Sequence, residues 1–83
     1  MLCPKIVKIE TLADYKLKLS YETGEVKLFD VLPYIAGAWY EELYNSNYFN
    51  TVHLVSNGQG IEWANGQDIA PHELYNASIV FRG

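Results

Sequence analysis

Tyr15-Lys16-Leu17-Lys18-Leu19-Ser20-Tyr21-Glu22-Thr23-Gly24-Glu25-Val26-Lys27-Leu28-Phe29-Asp30 decides the fold class. Tyr15, Leu17, Leu19 and Tyr21 alternate with Lys16, Lys18 and Ser20, the period of two that marks a strand with one buried face. After Thr23-Gly24 the alternation resumes from Glu25 to Asp30, which predicts an antiparallel hairpin. With Thr23 and Gly24 as a two-residue loop, Tyr21 faces Val26, Ser20 faces Lys27 and Leu19 faces Leu28. A slip of one residue would turn a whole strand over, so this register is the expected one. Gly24 supplies the positive φ that such a loop needs. On this count Lys16, Lys18 and Lys27 share the solvent face. Phe29 falls on that face too and requires a covering element.

Outward from the hairpin, Lys5 to Glu10 is rich in β-branched residues and predicts a preceding strand, with Thr11 to Asp14 as its turn. Pro33 ends the hairpin's second strand. Ala36, Trp39, Tyr40, Leu43 and Tyr44 recur at helical spacing, with Glu41 and Glu42 on the solvated side and Asn45-Ser46-Asn47 as the stop. Strand character returns from Phe49 to Ser56 and at Ile61-Glu62-Trp63. Asn57-Gly58-Gln59-Gly60 and Asn65-Gly66 are turns. Pro71 opens a helical turn through Leu74 or Tyr75, and Ala77 to Phe81 suits a last short strand. The fold class is therefore α+β: a single domain over residues 1–83, with antiparallel strands and a short helix packed on the sheet.

The chain has 83 residues, of which 49% are hydrophobic and only 19% charged, a balance that excludes generic disorder. Its one cysteine, Cys3, cannot close an internal disulfide, which fits a reducing, cytoplasmic setting. No apolar targeting core or membrane-spanning run is visible. Asn76-Ala77-Ser78 matches a glycosylation sequon, relevant only to a secreted chain. The net charge of −4 disfavours general nucleic-acid binding. The charge is uneven: all five lysines lie by Lys27, and only Arg82 offsets the six later acids. Lys16, Lys18 and Lys27 are the candidate contacts if nucleic acid is the partner after all.

No phosphate loop, nucleophile elbow or paired catalytic carboxylates occur, so no catalytic residue is assigned. His53, His72, Cys3 and Asp68 match no zinc-ligand spacing, and no metal or cofactor is expected. Aromatic residues form 14% of the chain, seven of them tyrosines. Tyr34, Trp39, Tyr40, Tyr44 and Tyr48 crowd one short segment, too many for one helix face to bury. Rings with a polar tip suit an interface, so these are the candidate partner-binding residues.

Residues 61–75 read I-E-W-A-N-G-Q-D-I-A-P-H-E-L-Y. They resemble the C-terminal signature of the bacterial family called domain of unknown function 2442, I-x-W-P-N-G-x-D-x-x-P-x-x-L-Y. Trp63, Asn65, Gly66, Asp68, Pro71, Leu74 and Tyr75 match it; Ala64 and His72 depart from it. The earlier L-x-L-x-Y-x-x-G-E resembles the family too, so the likeness covers nearly the whole chain. It implies a small α+β fold with no established activity. It also implies kinship with small proteins of bacterial, plasmid and phage-like neighbourhoods, among them toxin–antitoxin candidates. No catalytic residue carries over.

The signature has a structural explanation: Asn65-Gly66 for a tight turn, Asp68 as a cap on the turn opened by Pro71, and Trp63, Leu74 and Tyr75 as anchors. The rival explanation is a recognition pocket lined by Trp63, Asn65, Asp68 and Tyr75. The leading functional expectation is a non-enzymatic protein-binding module, an antitoxin-like or adaptor component. The alternatives are nucleic-acid association through the lysine face, and a small-molecule site or enzyme around Trp63, Asn65 and Asp68. Sheet edges would permit a homodimer.

Overall fold

The hairpin forms, in a different register from the one expected. The computed structural model describes residues 4–35, 37, 40–55 and 58–80. Strand β1 (Ile6–Leu12) pairs with β2 (Lys16–Tyr21), and β2 pairs with β3 (Val26–Asp30), all antiparallel. Across β2 and β3, Ser20 faces Val26, Leu19 faces Lys27 and Leu17 faces Phe29, one residue away from the two-residue-loop count.

The turn explains the difference. Gly24 N–H donates to the Tyr21 carbonyl (3.0 Å) and Tyr21 N–H donates to the Glu25 carbonyl (2.8 Å), while Gly24 stands at φ +93°. This is a three-residue loop closed by a glycine bulge. It turns β3 over relative to the expected register. Phe29 enters the core at 1% exposure, removing the need for a separate cover. Burial of a ring this size contributes about 1.5–3 kcal/mol. Lys27 goes inside with it, to 9% exposure. Its cost is offset locally: Nζ donates to the Tyr75 carbonyl (2.9 Å) and sits 3.6 Å above the Tyr75 ring centroid.

The helical middle also departs from expectation. Glu41–Tyr44 is a single 3₁₀ turn, and Ala36 and Trp39 lie outside the described residues. Asn45 starts a helix instead of stopping one. Its side chain accepts from the N–H groups of Asn47 and Tyr48, capping α1 (Ser46–Phe49). Phe49, expected in a strand, therefore belongs to α1; β4 is His53–Val55, and Ser56 and Asn57 lie outside the described residues.

Strands β4, β5 (Gly60–Glu62) and β6 (Asp68–Ile69) form a second antiparallel sheet with β5 central. Helix α2 (Pro71–Ala77) follows, with Pro71 in its first turn as expected. Then β7 (Ile79–Val80) joins the open edge of β3, so the first sheet runs β1-β2-β3-β7.

One apolar core joins the two sheets. Ile6, Leu17, Leu19, Tyr21 and Phe29 of the first sheet meet Ile61, Trp63 and Ile69 of the second hairpin, with Leu43, Phe49 and Leu74 between. Gly58, just before β5, lies tight against β1. A Cβ there would lie 2.4 Å from the Ile6 carbonyl oxygen, and its φ is +88°. Glycine is the residue that meets both demands. The architecture is α+β, as expected.

Candidate functional site

The second hairpin repeats the turn of the first. Gly66 N–H donates to the Trp63 carbonyl (2.9 Å) and Trp63 N–H donates to the Gln67 carbonyl (2.8 Å), with Gly66 at φ +93°. Trp63 is fully buried, and its Nε1 donates to the Phe49 carbonyl (2.9 Å). That bond ties the signature segment to α1.

A polar network fastens the turn from the other side. Asn65 Nδ2 lies 2.9 Å from both Glu42 carboxylate oxygens, and Gln67 Nε2 donates to Glu42 Oε1 (3.2 Å). Tyr48 hydroxyl donates to Gln67 Oε1 (2.5 Å) and accepts from Asn65 N–H (2.8 Å). Glu42, read from the sequence as merely solvated, is thus the centre on which the Asn-Gly turn closes. The link spans 23 residues of chain, and no local pattern announces it.

The remaining signature residues divide clearly. Leu74 is fully buried. Tyr75 hydroxyl donates to Glu25 (2.8 Å), which holds the Glu25 carboxyl below its usual range, helped by Thr23. Asp68 does not do what the turn-and-cap explanation requires. The residue capping α2 is Ala70, and no side chain caps the helix. Among the described residues no hydrogen bond reaches the Asp68 carboxylate. It lies exposed on β6, directly across from Glu62 of β5.

The tyrosines do not share one face. Tyr48 belongs to the network above. Tyr44 is exposed and stacks edge-on against Tyr15 (centroids 5.6 Å apart), with its hydroxyl donating to the Ile35 carbonyl (3.3 Å). Tyr34 and Tyr40 line a surface pocket of about 400 Å³ with Asp68, Ile69, Ala70 and Glu73. Tyr34 packs on Phe29 (5.2 Å) and donates its hydroxyl to Glu73, a bond that raises the phenol's pKa. Tyr40 hydroxyl reaches the Asp68 carbonyl at 3.5 Å. The pocket thus brings two of the tyrosines predicted for partner binding together with the signature aspartate. Trp39 and Cys3 fall outside the described residues.

The lysine face is broken up. Lys16 and Lys18 lie opposite the core face of β2, whereas Lys27 is buried on the core side. Lys18 stands across from Glu10, Lys16 stands across from Asp30, and Lys8 pairs with Glu10 at 2.9 Å. His53 bonds the Thr51 carbonyl (3.2 Å) and Glu62 (3.1 Å), in that order of effect raising its pKa. Among the described residues no group of His, Cys, Asp or Glu could hold a metal ion, and no helix is long and apolar enough to cross a membrane.

No curated protein and no solved structure shows a significant match to the chain. A family model described as "Protein of unknown function (DUF2442)" matches residues 6–80, nearly the full length, and the chain belongs to that family.

Proposed function

We propose that the protein is a non-enzymatic binding module that docks another protein through the pocket between the Tyr34–Tyr40 segment and the β6–α2 junction, as an adaptor or antitoxin-like component. One observation carries this reading. The other signature residues are engaged in core packing, turn or helix-start geometry, or the polar network, whereas Asp68 is among the residues lining the pocket and no bond among the described residues reaches its carboxylate. Its position across from Glu62 is unfavourable for the fold, since like charges directly opposed on a sheet repel. A side chain that breaks a local pairing rule without a compensating contact is a candidate for recognition. The pocket also has the make-up of an interface centre, with aromatic and aliphatic walls and a few polar groups at the rim.

The test is affinity capture from the native cell extract with the wild-type chain and a Tyr40→Ala/Asp68→Ala variant, each with and without nuclease. The expected result is one stoichiometric protein partner that survives nuclease and is lost with the variant. Retention of that partner by the variant would remove this surface. Capture of nucleic acid alone would transfer the role to Lys16 and Lys18.

A further inference from the structure

Resting on that docking reading, we infer that the pocket takes the side chain of an arginine presented by the partner. The chemistry of the walls points there. Tyr34 and Tyr40 supply aromatic rings, Ile69 and Ala70 supply aliphatic surface, and Asp68 and Glu73 are the charged residues of the lining, both acidic. Aromatic faces with carboxylates select a cation, and a planar guanidinium suits such a slot better than an ammonium. Its flat faces stack on rings while its edge bonds carboxylate oxygens in pairs.

The surroundings reinforce this selection. Glu62 stands across the strand from Asp68, and the residues after Lys27 carry six acids against one arginine. The pocket therefore lies in the acidic part of the chain. A guanidinium bound at Asp68 also offsets the repulsion between Asp68 and Glu62. Tyr34 hydroxyl, donating to Glu73 Oε2, fixes one carboxylate at the pocket wall before any ligand arrives. Fixing a group in advance reduces the ordering cost of binding.

Titration of the isotope-labelled chain with the tripeptide acetyl-Gly-Arg-Gly-amide, followed by amide NMR shifts, tests the inference. Two further peptides carry citrulline, a neutral isostere, or leucine in place of arginine. The expected result is saturable shifts at Tyr34, Tyr40, Ile69 and Ala70 with the arginine peptide, weakened by added salt. Binding should fall about tenfold with citrulline and by a similar factor in Glu73→Gln, as expected for loss of one charge-assisted bond. Glutamine still accepts the Tyr34 hydroxyl, so Glu73→Gln keeps the pocket wall. Equal binding of the citrulline or leucine peptide would overturn the arginine inference and leave a docking pocket in place. Absence of shifts at the pocket with every peptide would also overturn it, and partner capture would then decide the docking reading separately.

Discussion

The two glycine-closed hairpins use the same backbone and spend it differently. In both, the residue after the glycine has its side chain held by a tyrosine hydroxyl from a distant segment: Glu25 by Tyr75, and Gln67 by Tyr48. Glu25 is half-buried, at a place where water reaches it, and it is a carboxylate. Gln67 has no exposure, and it is a neutral amide. Identical turn geometry therefore accepts either side chain, and burial decides which one. A charge can be kept where solvent shares in stabilising it, and a desolvated site requires a neutral group with its hydrogen bonds complete. The first hairpin serves the core by carrying Phe29 inward. The second serves as the anchor of a network that leaves one carboxylate, Asp68, to the surface.

The comparison can be broken most forcefully at its core residue. Trp63→Ala should cost about 3–5 kcal/mol, measured by chemical denaturation, because it empties a fully buried site and leaves the Phe49 carbonyl only the longer bond from Val52 N–H (3.4 Å). Gly58→Ala attacks the joint between the two sheets. It should cost roughly 2–4 kcal/mol from the left-handed backbone and the close approach to Ile6 together.

Exchanging the two post-glycine residues is sharper still. Gln67→Glu places a carboxylate beside Glu42 in a desolvated site and should cost about 1–3 kcal/mol at neutral pH. Stability should recover as acid protonates it, since burial raises the new group's pKa. Glu25→Gln should have the opposite pH signature. The Glu25 carboxyl is held low by Tyr75, so its contribution is present above the ordinary carboxylate pKa and lost as pH falls through the folded value. The variant should lose that acid-side dependence, read from denaturation midpoints across acidic pH.

The turn between β1 and β2 supplies a control without glycine. Asp14 and Tyr15 stand there at φ +61° and +59°. Tyr15 is held by its ring against Tyr44 and Phe49 and by its hydroxyl bond to the Tyr44 carbonyl (2.6 Å). Asp14 is exposed and has no such anchor among the described residues. Asp14→Gly should therefore stabilise by up to about 1 kcal/mol, the strain relieved exceeding the entropy that glycine adds to the unfolded chain.

The hairpin, its core residues Leu17, Leu19 and Tyr21, the Asn65-Gly66 turn and the start of α2 at Pro71 were all legible in the sequence, because each rests on local periodicity or local turn chemistry. The register of β2 and β3 was not. Thr23-Gly24 suits a two-residue or a three-residue loop equally, and the choice is made by which face Phe29 can bury and by a carbonyl at Tyr75 that receives Lys27. Asn45 was ambiguous for a related reason: the same side chain favours either end of a helix, and here it caps the one that follows. Glu42 was illegible because its partners, Asn65 and Gln67, are far away in sequence. Asp68 was legible as a signature residue, but its separation from the capping role depends on geometry that only the folded chain supplies.

The most direct test compares Asp68→Ala with Asn65→Ala, measuring both stability and partner capture. Asn65→Ala should destabilise the fold by about 1 kcal/mol, because it removes the bonds that close the turn on Glu42 and leaves Gln67 as that carboxylate's remaining donor. Asp68→Ala should leave the denaturation midpoint unchanged within about 0.5 kcal/mol, or raise it, while abolishing capture. If Asp68→Ala destabilised the fold as Asn65→Ala does and the partner stayed bound, Asp68 would be a structural residue and the pocket would lose its claim to be the docking site.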